Sequence, residues 1–148
     1  MRAVIQRVNA ASVSVDGRLV SSVGKGLLVL LGVKKEDTQV EATKIAAKIA
    51  GLRIFCDDRG KMFYSVKDIQ GQILLISNFT LYGSVSHGYR PEFIRSAGAD
   101  AARSLYEFVL TELNSSVPTK GGVFGADMKV LADNDGPVTI IIDTDDLK

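Results

Sequence analysis

The run Leu27-Leu28-Val29-Leu30-Leu31, set between Gly24 and Gly26 on one side and Gly32 on the other, constrains the fold most. It has neither a helical nor an alternating period, so each of its side chains needs shelter from water. A strand in the middle of a sheet, covered on both faces, provides that. The run is far too short to span a bilayer as a helix. The Gly24-Lys25-Gly26 turn before it invites a phosphate-loop reading, but no GxxxxGK[ST] pattern follows.

Most of the surrounding chain also reads as strand. Residues 3–8 form a first strand, and Ser12-Val13-Ser14-Val15 a second with period two. Asp16-Gly17 then suits a type I′ hairpin turn, whose two central positions need positive φ, and residues 18–23 return as the partner. Leu52-Arg53-Ile54-Phe55 is a short strand closed by Asp57-Asp58-Arg59-Gly60, and Gln72-Ile73-Leu74-Leu75-Ile76 is another buried one. Near the C-terminus Met128, Val130 and Ala132 alternate with Asp127, Lys129 and Asp133, the pattern of a strand with one buried face. The β-branched run Val138-Thr139-Ile140-Ile141-Ile142 reads as a last strand buried on both faces. Taken alone, Asn134-Asp135-Gly136-Pro137 between them is a tight turn.

Two segments have helical period. In residues 38–50, Thr38 and Glu41 form a capping box and Ala42, Ile45, Ala46 and Ile49 share one face, while Gly51 suits the C′ position. Lys44 and Lys48 fall on the solvated side. In residues 99–113, Ala102, Leu105, Tyr106, Val109 and Leu113 make the inner face. Residues 82–98 are irregular and carry Gly83, Gly88, Pro91 and Gly98 together with His87, Arg90 and Arg95; so long a loop in a compact domain is functional or mobile. The helices do not alternate regularly with strands. The expected fold is therefore α+β: a single domain over 1–148, with a curled, largely antiparallel, barrel-like sheet and two main amphipathic helices. A chain of 148 residues with 46% hydrophobic content suffices for one such core.

Composition narrows the chemistry. With 18 basic and 17 acidic residues the net charge is +1, which argues against an extended basic face that coats nucleic acid, although contact with one end of an RNA needs no such face. Cys56 is the only cysteine and His87 the only histidine, so an intramolecular disulfide framework and His- or Cys-rich zinc sites are excluded. Asp57 and Asp58 are adjacent turn residues without the further oxygen ligands of a hard-metal site. No cofactor or metal is expected. The charges that interrupt Met1-Arg2-Ala3-Val4-Ile5-Gln6-Arg7 leave no signal-peptide core, and the expectation is a soluble, cytoplasmic protein with no membrane partner.

A nucleophilic hydrolase would need Ser77 or Thr80 activated by His87, and nothing in the spacing brings them together. The flanks of Ser77 also lack the GxSxG elbow. Thr80 reads more simply as a hydroxyl that satisfies a local backbone group. Phe124, framed by small residues, suits either a core or a ring for stacking a base.

Two motifs read together change this. Ser77-Asn78-Phe79-Thr80-Leu81 and Asn134-Asp135-Gly136-Pro137-Val138-Thr139 resemble the paired signatures of the D-aminoacyl-tRNA deacylases, SQxTL and NxGPxT. Arg2-Ala3-Val4-Ile5-Gln6-Arg7-Val8, the strand at residues 26–32, Gly88-Tyr89-Arg90-Pro91-Glu92-Phe93 and Phe124-Gly125-Ala126-Asp127-Met128 look like further family landmarks in family order, over essentially the whole chain. Asn78 departs from the family's usual Gln, keeping the amide but shortening it by one methylene. The resemblance implies hydrolysis of the ester that joins a D-amino acid to the 3′-terminal adenosine of tRNA, with the substrate's 2′-hydroxyl assisting. It assigns the catalytic segment to Ser77, Asn78, Phe79 and Thr80, with backbone donors from Phe79 and Thr80 near the scissile carbonyl. Phe124 and Met128 would shape the adenine pocket. Gly136-Pro137, cis in the family, would reach from one subunit into the site of a homodimeric partner and reject L-aminoacyl groups, and Arg7 would hold the Gly-Pro backbone. Glycine has no side chain for such a wall to exclude, so glycyl-tRNA is an expected additional substrate. Two other readings stand beside this one: a non-catalytic module binding an RNA 3′ end, and a serine or threonine hydrolase of small esters.

Overall fold

The computed structural model describes residues 1–148. The strands are β1 (Arg2–Val15), β2 (Arg18–Val23), β3 (Gly26–Gly32), β4 (Phe55–Cys56), β5 (Met62–Tyr64), β6 (Gln72–Ser77), β7 (Thr119–Gly121) and β8 (Lys129–Asp143). The helices are α1 (Gln39–Gly51) and α2 (Ala99–Asn114), with 3₁₀ turns at Phe79–Tyr82 and Thr144–Asp146.

The molecule is organised on β1. Instead of the two expected strands, residues 2–15 form one continuous strand of 14 residues. Along one edge β1 pairs antiparallel with β8 from Arg2↔Asp143 to Ser14↔Lys129. Along the other, its first half pairs with β3 and its second half with β2, both antiparallel. β3 then runs parallel to β6, and β6 parallel to β7. β2 and β7 meet through side chains: Ser21 Oγ donates to the Gly121 carbonyl at 2.7 Å, and Lys120 Nζ to the Ser22 carbonyl at 2.9 Å. The sheet is thus mixed and curls into a nearly closed barrel. In the β1–β2 hairpin, Asp16 and Gly17 have φ of 50° and 75°, as a type I′ turn requires.

The period of two sorts the core. Ala3, Ile5, Leu27, Val29, Leu31, Ile73 and Leu75 are buried with the helices, while Val8, Ala11, Val13, Val23, Leu28, Leu74 and Ile76 form a smaller cluster on the opposite face, inside the curl. Both helices bury the faces read from sequence: Ala42, Ile45, Ala46 and Ile49 on α1, and Ala102, Leu105, Tyr106, Val109 and Leu113 on α2. The capping box at Thr38 and Glu41 is formed, and hydrogen bonds from the Thr38 hydroxyl and backbone hold the Glu41 carboxyl below its usual range.

Several expectations need correction. The segments flanking Asn134-Asp135-Gly136-Pro137 are one strand of 15 residues, and the motif is an irregularity within it, where the register against β1 shifts between Gln6 and Val8. Val138-Thr139-Ile140-Ile141-Ile142 is not buried on both faces. Ile142 is buried but Ile141 is 67% exposed, because the helix layer covers only one side of this strand. Gly51 is the last helical residue, followed by Leu52 as the C-cap in extended conformation. The strand expected at residues 52–55 begins only at Phe55. β5 and β7, of three residues each, are too short for any periodicity to reveal.

The two ends of the spine are tied together. The Met1 amino group, fully buried, donates to Asp37 Oδ1 at 2.8 Å and to Thr144 Oγ1 at 2.6 Å. Removing the anion strands a buried cation, which costs about 3–5 kcal/mol. Asp37→Ala is therefore expected to lower the urea unfolding midpoint by an amount corresponding to that loss; an unchanged midpoint would show that the pair contributes nothing to the fold.

Candidate active site

A cavity of about 780 Å³ opens on the inner face of the curl, walled by β1, β3, β6 and β8 and by the start of α2. Leu28, Leu30, Ile76, Val130 and Ala132 make its floor and sides, and Gln6, Ser77, Asn78, Thr80 and Asp127 are its polar members. The cavity is thus mostly apolar with a few polar groups, the usual character of a small-molecule site. Met128, Val130 and Ala132, read from sequence as the buried face of a strand, are the cavity wall.

All four residues of the expected catalytic segment meet this cavity. β6 carries Ser77 to its rim, and the Asn78 N–H is fixed by donating to the Leu31 carbonyl at 2.8 Å. Asn78 then caps the following 3₁₀ turn: its Oδ1 accepts from the Thr80 N–H at 3.2 Å and from the Thr80 hydroxyl. The Thr80 N–H, expected to face the scissile carbonyl, is thus engaged by the Asn78 amide in this structure. The Phe79 N–H, first in the turn, has no acceptor within it. The Phe79 carbonyl is held from outside by Ser96 Oγ at 3.0 Å, and its ring stands edge-on to Phe93 at 5.1 Å.

Phe124 and Met128 lie on the opposite wall. The Phe124 ring neighbours the Tyr106 ring, 6.1 Å away, and the Arg103 guanidinium, 5.2 Å from its centroid. Tyr106 is anchored by its hydroxyl, which donates to the Leu75 carbonyl at 2.7 Å, and burial pushes the phenol's pKa up. Arg103 was not legible in sequence, since only the fold brings α2 beside Phe124. Gln6 was also missed, although its signal was present: it is the one polar residue on the inner face of Val4-Gln6-Val8.

Arg7, Gly136 and Pro137 do not line the cavity of their own chain. Arg7 Nε donates to the Asp135 carbonyl at 3.0 Å and Nη1 to the Ile54 carbonyl at 2.8 Å, so Arg7 grips the residue just before the Gly-Pro pair. Asn134 Oδ1 accepts from the Val138 N–H at 3.2 Å, bracing the motif from within. The Gly136-Pro137 peptide bond is cis, and both residues are exposed. At Gly136, with φ of 153°, an added Cβ would lie 2.4 Å from the Val138 nitrogen, so no other residue fits without displacement.

No catalytic base converges on Ser77 or Thr80. His87 is exposed on a loop and does not line the cavity, and no group of three His, Cys, Asp or Glu side chains gathers anywhere in the structure. Asp57 is a turn residue, its Oδ1 accepting from the Arg59 and Lys61 N–H groups. No helix is long and apolar enough to cross a membrane.

Residues 4–143 match the family model described as D-Tyr-tRNA(Tyr) deacylase. A protein from Geobacter sulfurreducens named "D-aminoacyl-tRNA deacylase" is 52% identical over 145 residues, covering 97% of this chain and 95% of that protein. A solved structure named "c-Myc DNA Unwinding Element Binding Protein" superposes with a TM-score of 0.91 at 43% identity, over 97% of this chain and 98% of that one. A probable eukaryotic D-amino acid tRNA deacylase shares the fold, with a TM-score of 0.84 at 15% identity over 95% of this chain and 97% of that one.

The packing at Gly136 generates a direct expectation. Gly136→Ala must displace the backbone at Val138 and should cost about 1–3 kcal/mol, read as a lower denaturation midpoint. A midpoint equal to that of the parent would show that the loop accommodates a Cβ freely.

Proposed function

Because the chain belongs to the D-Tyr-tRNA(Tyr) deacylase family, whose members are hydrolases, we propose that it hydrolyses the ester linking a D-amino acid to the 3′-terminal adenosine of tRNA. The observation that carries this reading is a backbone N–H without a partner in its turn, that of Phe79, at the wall of an apolar cavity that holds no nucleophile–base pair. An aminoacyl ester is already activated. Holding it in place and stabilising the developing oxyanion with fixed dipoles is chemistry that such a wall can perform. No histidine or carboxylate hydrogen-bonds Ser77 or Thr80, and the substrate's own 2′-hydroxyl supplies the proton transfer. Phe124, backed by Tyr106 and Arg103, suits the terminal adenine, with Met128 beside it. The Thr80 N–H becomes a second oxyanion donor only when it exchanges the Asn78 oxygen for the substrate's.

Chiral selection falls to Gly136 and Pro137. They stand exposed, are braced by Arg7 and Asn134, and are absent from their own cavity, which fits insertion into the site of a second copy. The sheet supports such pairing. Leu30, Val4 and Ile141 are cross-strand neighbours on the cavity's face of β3, β1 and β8, and Ile141 is 67% exposed. A homodimer would cover that row. The wall rejects an L side chain and leaves glycine unopposed, so glycyl-tRNA is a substrate too. Such proofreading belongs in the cytoplasm, where aminoacyl-tRNA is used.

A non-catalytic RNA 3′-end module draws support from the Thr80 N–H being engaged by Asn78. Binding along an extended stretch of DNA, the ligand in the name of one structural relative, is disfavoured by a net charge of +1.

The test is release of amino acid from D-Tyr-tRNA, L-Tyr-tRNA and Gly-tRNA, with and without a chelator. D-Tyr and Gly should be released and L-Tyr retained, with no effect of chelator. Equal rates on D and L, or retention of intact D-Tyr-tRNA, would overturn the proposal, the latter in favour of the binding module. His87→Ala should leave kcat unchanged, and an acylating probe should label neither Ser77 nor Thr80.

A further inference from the structure

Between Ser84 and Glu92 the chain leaves the body of the molecule as a tongue. Its base is closed by two backbone hydrogen bonds of 2.9 Å, Ser84 N–H to Glu92 carbonyl and Glu92 N–H to Ser84 carbonyl. Ser84 Oγ accepts from the Ser86 N–H at 3.3 Å, and the Gly88 N–H donates to the Val85 carbonyl at 3.4 Å, giving the tip a turn of its own. Every residue from 85 to 91 is exposed. Tyr89 is extreme, at 104% exposure, with its ring packed on nothing. An aromatic ring left wholly in water contributes no burial to folding, and at a braced tip it is free to be covered by a partner.

Charge indicates what that is. Arg90 follows Tyr89 and forms no ion pair. The tongue's one acid, Glu92, turns its carboxylate back to accept from the Ile94 N–H at 2.9 Å. The tip therefore offers a free ring beside an unneutralised guanidinium, the pairing that holds single-stranded nucleic acid by stacking a base and meeting a phosphate. The root connects the tongue to the cavity: Phe93, next to Glu92, packs edge-on to Phe79 of the cavity wall, and the Phe93 ring lies 2.9 Å from where a Cβ on Gly83 would sit. Phe93 is four positions along the chain from Tyr89, a reach of at most ~14 Å, which a short single strand entering the cavity would cross.

We propose that this tongue is a stacking clamp for the unpaired nucleotides that precede the terminal adenosine, with Tyr89 stacking on a base and Arg90 contacting a phosphate. The proposal rests on the deacylase reading and adds to it how the strand is held outside the cavity.

The experiment compares two substrates, full-length D-Tyr-tRNA and the minimal ester 3′-O-(D-tyrosyl)adenosine, which is too short to reach the tongue. Tyr89→Ala should raise KM for the tRNA roughly tenfold, as loss of one stacked base does. It should leave kcat and all kinetics on the minimal ester unchanged. Tyr89→Phe, which keeps the ring, should restore the tRNA KM. Arg90→Ala should raise the tRNA KM and flatten its dependence on salt. Equal effects of Tyr89→Ala on both substrates, no effect on either, or a change in oligomeric state on gel filtration in place of a KM effect would overturn the clamp. If the parent protein hydrolyses neither substrate, the deacylase reading falls. The clamp is then judged by binding of uncharged tRNA, where equal affinity for the parent and Tyr89→Ala overturns it.

Discussion

The ladder between β1 and β8 is the constraint on which the rest of the structure depends. One strand of 14 residues serves as a shared edge for three others, and β8 follows it over nearly its whole length. A continuous backbone ladder is stiff, and it places distant parts of the sequence with little freedom. Gln6 enters the cavity, Arg7 one residue later points to the other face and holds Asp135, and Val8 pairs with Asn134. The alternation of a strand thus puts a cavity residue and a loop-bracing residue side by side. Where the register shifts, the ladder yields enough for Gly136 and Pro137 to stand out from the strand.

The second rigid element is the end of β6. Its parallel pairing with β3 runs to Leu31↔Ser77, and the chain then turns at once into the 3₁₀ segment, whose residues Phe79 and Thr80 line the cavity. Donors held in this way lose little freedom when a substrate arrives, which is where fixed dipoles gain over water. The proposed selection would draw on the same economy. A rigid backbone wall discriminates by what it refuses, so its rigidity would matter more than any attractive contact it makes. Asn78 ties these features together, because its short amide reaches the Thr80 N–H that a substrate oxygen would also seek.

Much of this was legible in sequence, for identifiable reasons. The inner faces of α1 and α2, the capping box and the Asp16-Gly17 hairpin all follow from local periodicity and local hydrogen bonding, and each formed as read. The segment from Ser77 to Thr80 and the pair Phe124 and Met128 do meet at one cavity. What failed depended on long-range pairing. Asn134-Asp135-Gly136-Pro137 carries every residue of a turn, yet pairing with β1 resumes on both sides of it, so the motif stands out as an irregularity within one strand and does not end it. Ile141 looks like core by composition and is exposed because β8 has a covering layer on one side only. The engagement of the Thr80 N–H could not be read at all, since it depends on the rotamer of Asn78.

A site made of one chain's cavity and another chain's loop is tested most directly by mixing subunits. Phe124→Ala leaves the loop intact and weakens the cavity; Gly136→Ala does the reverse. If the site crosses the interface, the mixed dimer contains one complete site, and hydrolysis of D-Tyr-tRNA with retention of L-Tyr-tRNA returns when the two proteins are combined. A mixture whose D and L rates are only the average of the two separate proteins would contradict a shared site and return Gly136 and Pro137 to a purely structural role.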